Sequence, residues 1–439
     1  MFISKKIFIV ILVLCMSFAG VVQAKAAEGF LDPGKYDFGG KTVSILHHEW
    51  EPVFEEDNYD LLQKKKQAEK LFNCKIEVIG ISDSPEEKFI SRVMAGDSRW
   101  DIWTCSRNVY YNMLAEGVMF PVSDILPESY YDKMLASKDV YYKIMGHKGK
   151  AYGFTDAHAG ADLFFFLYNK DMFNNLGLQD PQELYKTGEW TWDNLEQLAT
   201  ALTRDTDGDG KTDVFGLPRY IRWNLLNDAP LVIKKEGKFV YNANSSAFKD
   251  SIRYYRKLYT NGVVGWGLDP QEGFLSGKLG MTNRRISGIK GMVEQMEEEG
   301  IDLNYGIVPG PKGPNASEYK TPTQHFKANV LPINSANPKG LIALYNYLFG
   351  TSPGCQTYDY EEIFKQIAPE KTSYKIVKKY FNNWQGESDA LGIYITRATP
   401  GGAWPNLMIK PVKKGAEIGT KVEEYAPKIQ ANLDDLMNQ

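Results

Sequence analysis

The succession of strand, helix and strand near the start constrains this chain more than any other feature. KTVSILHHEW (41–50) alternates and is β-branched at its start. NYDLLQKKKQAEKLF then carries Leu61, Leu62, Ala68, Leu71 and Phe72 at helical spacing, and CKIEVIGI (74–81) follows as a second strand. A right-handed crossover lays two such strands parallel in one sheet. SPEEKFISRVMAG repeats the helical pattern through Phe89, Ile90, Val93 and Met94, and WDIWTCS is a short buried strand. More strands are expected at 161–169, 278–283, 305–310 and 327–334. Helices are expected in WDNLEQLATALT, capped by Thr191, in FKDSIRYYRKLY, in PKGLIALYNYLFG, and in the C-terminal YKIVKKYFNNW and VEEYAPKIQANLDDLM. The fold class is therefore α/β. The 439 residues, at about 150 per domain, suit two similar-sized bodies. GPKGPNASEYKTP (310–322) is the stretch of linker composition.

A net charge of −4 with mixed signs argues against a nucleic-acid partner, which would need a basic face or arm. Lys5 and Lys6, the apolar run Ile7–Phe18, and small residues in VVQA or AKA read as a secretory signal peptide over 1–27. No later segment reaches the ~18 apolar residues of a membrane span. Cys15 lies inside the signal behind Leu14, a poor lipoprotein context, so an exported protein without lipid anchor is expected. Cys74, Cys105 and Cys355 then remain, an odd number that leaves one bridge plus a thiol, or three thiols.

Several segments in order resemble family 1 extracellular solute-binding proteins, the carbohydrate receptors of ABC importers, which are maltose-binding-protein-like. They are KTVSILHHEW, AEKLFNCKIEVIGI, FISRVMAGDSRWDIWTCS, LAEGVMFPVSDIL, GKAYGFTDAHAGADLFFFLYNKDMFNNLGL, GEWTWDNLEQLATALT, GFLSGKLGMTN, YGIVPGPKGP and NVLPINSANPKGLIALYNYLF. The resemblance implies a two-lobe periplasmic-binding-protein-like fold of type II, with doubly wound sheets. One lobe would hold 40–152 with 309–350 and the other 153–308 with 351–439. The hinge would be crossed near Tyr152–His158, Ile307–Gly310 and Gly350–Gly354, with ligand in the cleft between lobes. It further implies a monomeric, non-enzymatic receptor, periplasmic or at the cell surface, that delivers a sugar to an ABC-transporter permease. A secreted glycosidase and a ligand-loaded partner of a signalling protein are the competing readings. A glycosidase needs two carboxylates facing across a cleft, and no motif selects such a pair.

Sugars offer flat CH faces to Trp and Tyr, and hydroxyls to charged and amide groups. Aromatic residues reach 13%, an excess that suits such a ligand. In parallel sheets the polar groups gather at the carboxyl ends of strands. This selects His48, Glu49 and Trp50 after the first strand, and Arg107, with Asp101 and Trp103, around the third. Asp156 and His158 fall near a family position bearing a ligand carboxylate. Trp223 and Trp266 are stacking or core residues. Trp404, in the Gly/Pro-rich PGGAWPN, is the best stacking candidate, whereas Trp190 and Trp192 read as structural. Asn283, Arg284 and Arg285 stand where the family often has Gly-Trp. Two adjacent guanidiniums suit a carboxylate, so an acidic sugar is an open reading beside simple surface pairing.

RDTDGDGKTDVFG (204–216) gathers four aspartates. Asp205, Asp207 and Asp209 take positions one, three and five of a calcium loop, Gly210 the turn, Lys211 a carbonyl position and Asp213 position nine. Gly216 replaces the glutamate of position twelve, so the motif is not a complete EF-hand. A structural Ca2+ clip is expected, with Asp213 available as the bidentate ligand instead, and an unmetallated polar turn is the competing reading. The resemblance implies such a loop too.

Overall fold

The apolar runs become strands because they can be buried on both faces, and in the computed structural model they build a five-stranded and a three-stranded sheet, beside three two-stranded ribbons. Residues 29–48, 59–81, 86–97, 100–131, 137–155, 162–219, 221–323, 326–349, 360–386 and 388–438 are described. The expected signal peptide with Cys15, the site candidates Glu49, Trp50, Asp156 and His158, Cys355, and the crossing at Gly350–Gly354 lie outside them. The strands are β1 (Thr42–His48), β2 (Lys75–Ile81), β3 (Ile102–Ser106), β4 (Gly153–Phe154), β5 (Phe164–Asn169), β6 (Met281–Arg285), β7 (Tyr305–Val308) and β8 (Lys327–Val330). The helices used below are α1 (Tyr59–Leu71), α2 (Glu86–Met94), α3 (Arg107–Ala115), α4 (Trp192–Leu202), α5 (Ser246–Thr260) and α6 (Ile286–Glu299).

The chain divides into two compact units, Met1–Gly160 with Lys327–Tyr358, and Ala161–Phe326 with Asp359–Gln439. In unit 1 the strand order is β2-β1-β3-β8-β4. β1 runs parallel to β2 and β3, as the crossover rule requires. β8 returns antiparallel between β3 and β4. Ile45, Leu46, Ile76, Ile102 and Trp103 are buried in this sheet. Glu69 of α1 accepts from Lys65 Nζ at 2.7 Å and from the Ile76 amide at 2.8 Å, fixing the helix to β2. The centre of the sheet carries a buried amide. Asn329 on β8 accepts from Thr104 Oγ1 at 2.7 Å and donates to the Phe154 carbonyl at 3.1 Å. It thereby spans β3, β8 and β4.

Unit 2 is built differently at its centre: β5 lies between β6 and β7 and is antiparallel to both. Unit 2 nonetheless holds a short parallel pair, Leu217–Pro218 with Val264–Gly265, so parallel strand ends occur in both units. β5 is buried along nearly its whole length, as FFFLYN requires.

The crossing expected near Ile307–Gly310 is corrected, because the units divide at 326/327. Residues 309–323 are stitched into unit 2. Trp190 Nε1 donates to the Pro309 carbonyl at 2.8 Å, and the Lys312 amide to the Trp190 carbonyl at 3.0 Å. The Gly313 amide reaches the Leu226 carbonyl at 2.8 Å. The stretch of linker composition is thus not a linker. Thr191 stands at the N-cap of α4, but its side chain makes no capping bond.

Cys74 and Cys105 are both buried. Burial, with Glu69 nearby, pushes the Cys74 thiol up to about 11, so it is protonated and unreactive at neutral pH.

Asn329→Ala removes a buried acceptor from Thr104 and a donor from Phe154. It should cost about 2–3 kcal/mol, read as a lower urea midpoint with unchanged m-value.

Candidate ligand site and aspartate loop

A recess within unit 2 is lined by three tryptophans among other residues. Trp404, Trp266 and Trp223 wall it, together with Arg222, Tyr255 and Met408. Its floor is set by packing. Trp223 is 2% exposed, and its ring meets Trp192 edge-on at 5.7 Å and Tyr254 at 5.1 Å. Trp192 in turn stacks on Tyr254 at 4.2 Å. Trp266 leans on Tyr255 of α5, with 5.9 Å between ring centres, and is partly exposed.

Trp404 reaches the recess because PGGAWPN turns sharply. Gly401 and Gly402 hold φ of 86° and 72°, which only glycine adopts without strain. Two buried side chains pin the turn. Asn406 Nδ2 donates to the Gly402 carbonyl at 2.9 Å and to Tyr425 Oη at 2.7 Å, while Tyr425 Oη donates to the Gly401 carbonyl at 2.8 Å. The Trp404 ring is not bare: Arg222 and Arg397 place their Cζ atoms 5.3 and 4.8 Å from its centre. Lys413 Nζ lies 4.7 Å from the centre of Trp266. These are cation–π distances.

Arg222 and Ile221 also border a second recess, which Phe164, Phe166, Pro322 and Asn283 complete. Asn283 therefore stands beside the tryptophan recess. Arg284 does not join it, because successive side chains on a strand face opposite ways, and Arg285 is held by another partner. Arg284 turns to the Gln271 side chain and lies 3.5 Å from the Gly288 carbonyl of α6. Burial holds its guanidinium below the usual arginine range. Arg285 faces Asp162 at 3.7 Å. The two arginines are thus not brought together on one carboxylate.

The unit 1 candidates have other surroundings. Arg107 opens α3, is 5% exposed and donates from Nε to Asn108 Oδ1 at 3.3 Å. Asp101 accepts from the Ser44 amide at 2.8 Å, and burial raises its carboxyl. Trp103 is 3% exposed against Phe89. His48 ends β1, and its side chain lies outside the described residues. Sequence reading missed Arg222, Arg397 and Lys413. The adjacency of Arg222 to Trp223 was a usable sign for the first; the other two arrive only through tertiary folding.

Asp205, Asp207 and Asp209 bring carboxylate oxygens within 4.8 Å of one another, all exposed. Asp205 accepts from the Gly208 and Gly210 amides at 2.7 and 2.8 Å, which hold its carboxyl below the usual range. Lys211 Nζ pairs with Asp209 at 2.9 Å. Asp213 does not join the three: its Oδ2 accepts from the Thr206 hydroxyl and amide at 2.6 and 2.7 Å. Gly216 has a packing reason to replace a glutamate. A Cβ there would sit 2.3 Å from the Ala199 carbonyl oxygen of α4.

Residues 54–354 match the family model described as bacterial extracellular solute-binding protein. The polygalacturonan/rhamnogalacturonan-binding protein YtcQ of Bacillus subtilis is 24% identical over 71% of this chain and 63% of its own length. Lipoprotein LipO of the same organism is 24% identical over 57% of this chain and 52% of its own. The chain thus spans between half and two thirds of the length of these curated relatives. Among solved structures, a sugar transporter of Rhizobium etli in an open conformation aligns over 89% of this chain and 99% of its own, with TM-score 0.64 and 15% identity. The maltotriose-bound maltodextrin-binding domain MalE of Bdellovibrio bacteriovorus aligns over 91% and 100%, with TM-score 0.58 and 17% identity. These likenesses show the two-lobe solute-binding fold. Among the described residues no helix is long and apolar enough to cross a membrane.

Gly216→Ala forces a side chain into the backbone of α4. It should destabilise the protein by about 1–3 kcal/mol in a thermal melt, whereas Lys211→Ala on the exposed side of the loop should fall within about 0.5 kcal/mol of the parent.

Proposed function

The chain belongs to the bacterial extracellular solute-binding proteins, and from that premise we propose that it is an exported receptor that captures a carbohydrate and hands it to an ABC-type permease. The observation that carries this reading is the recess in unit 2, where Trp404, Trp266 and Trp223 surround Arg222. Indole faces cover the CH faces of a sugar ring, and guanidinium N–H groups donate to its oxygens. The names of similar proteins support the same class of ligand: one binds polygalacturonan or rhamnogalacturonan, and another was solved with maltotriose. Retention near the membrane and the permease itself follow from the family's role.

Melting the mature chain against a panel of oligosaccharides tests this. A ligand at 100 times its Kd stabilises the native state by about 2.7 kcal/mol, and the midpoint should rise accordingly with no product formed. Trp404→Ala should abolish the rise while leaving the unliganded midpoint within a few degrees. A panel in which no sugar shifts the melt would remove the carbohydrate assignment.

A structural Ca2+ in the aspartate loop belongs to the same proposal. Asp205, Asp207 and Asp209 fit such an ion through their converging oxygens. They would hold it as a clip on the loop between α4 and the strand-like stretch at 214–218, remote from any reaction. A bound cation would neutralise three mutually repelling carboxylates. Chelator should lower the midpoint and added Ca2+ restore it, equally with and without sugar. Because the amides keep the Asp205 carboxyl below its ordinary value, Ca2+ protection should persist through mildly acidic pH and vanish only as pH falls through the carboxylate range.

A further inference from the structure

Several basic groups of unit 2 pair with carboxylates. Arg253 pairs with Asp250 at 2.8 Å, Lys257 with Glu196 at 2.7 Å, and Arg285 with Asp162 at 3.7 Å. Others do not, and among them are two that lie beside indoles: among the described residues no carboxylate lies within 4.0 Å of Arg397 or Lys413. Both instead lie against indoles at the tryptophan recess, Arg397 on Trp404 and Lys413 on Trp266. A guanidinium stacked on a ring keeps its N–H edge available, and that edge matches the two oxygens of a carboxylate. Arg222 adds a second guanidinium at the same indole.

The position of Arg222 adds a second constraint. It borders both the tryptophan recess and the neighbouring one lined by Phe164, Phe166, Asn283 and Pro322. A ligand reaching into both would lie along Arg222, an arrangement that suits two or more rings in line.

We infer that the ligand is an anionic oligosaccharide of two or more sugar units, with a carboxylate on the ring at Trp404 received by Arg397 and Arg222. This rests on the carbohydrate reading and sharpens it. Arg397 and Arg222 are then the residues that select acid over neutral sugar, and Asn283 contacts the following unit. The earlier candidates for that charge, Arg284 and Arg285, are turned to partners of their own.

Calorimetric titration of the mature chain with trigalacturonate, its methyl ester and maltotriose separates the possibilities. The three share a ring number and differ in charge and stereochemistry. Trigalacturonate should bind at least tenfold more tightly than its ester, and its affinity should fall steeply with added salt. Digalacturonate should bind at least tenfold more tightly than galacturonate. Arg397→Gln should remove most of the preference for acid over ester while the ester's own affinity stays within about twofold; Arg397→Lys should restore part of it. Lys413→Gln is the second variant should Arg397→Gln fail to fold, and should weaken the acid more than the ester.

Equal binding of acid and ester, or tighter binding of maltotriose, would overturn the anionic ligand and leave the carbohydrate receptor standing. Binding of none of these or of any sugar in the wider panel would overturn both. A preference for acid that survives in both Arg397→Gln and Lys413→Gln would overturn the assignment to this recess.

Discussion

Unit 1 depends on a strand that arrives late. β1, β2 and β3 come from one continuous stretch, but the sheet is completed by β8, which the chain supplies only after passing through unit 2. β8 is not an edge addition. It lies between β3 and β4, and without it β4 has no partner in the sheet. The Asn329 side chain makes this insertion specific, because its oxygen and nitrogen are satisfied by Thr104 on one side and Phe154 on the other. A slip of one residue would turn that amide to the other face and leave polar atoms unpaired in a buried layer. Non-local pairing of this kind closes a long loop before it is rewarded, so the completed sheet is expected to be a slow step in folding.

Unit 2 solves a different problem with the same economy of parts. Its three central strands are short and antiparallel, and much of its mass lies in helices and in the stitched excursion over 309–323. Asn227, fully buried, anchors that excursion by accepting from the Asn315 amide at 2.9 Å while donating to the Ala247 carbonyl at the start of α5, also at 2.9 Å. A side chain of this kind supplies the order that the sequence of the excursion, rich in Gly, Pro and Lys, does not advertise. The tryptophan recess lies on this background, with Trp192 packed against the Trp223 that lines it.

The regular elements were legible where one physical rule decided them. β1, β2 and β5 follow from β-branched or continuously apolar runs, and α1, α4 and α5 from residues at helical spacing with a polar opposite face. The division at 326/327 was not legible, because local composition marks 310–322 as a loop and only contacts to Trp190 and Leu226 make it part of a unit. α6, ISGIKGMVEQMEEE, is weakly marked in the sequence because two glycines interrupt its helical pattern, and its buried side rests on Ile286, Ile289 and Met292. The separation of Arg284 from Arg285 could have been read from strand alternation alone. At the site, Trp404 was singled out from the Gly/Pro turn around it. Arg397 could not be, since the meeting of its guanidinium with that indole depends on the end of a helix and a double-glycine turn.

The crowding of indoles and cations in one small volume gives the protein an optical property. Trp404 has two guanidiniums against its ring, and Trp266 has an ammonium, while Trp223 and Trp192 sit in an apolar interior a few ångströms from one another. Indole emission responds to nearby charge and to the polarity of its surroundings. Anything that draws the guanidiniums from Trp404, or replaces water beside it, changes the emission of that residue, while Trp192, stacked on Tyr254 outside the recess lining, serves as an internal reference. The intrinsic fluorescence of the chain is therefore a built-in gauge of occupancy, needing no label.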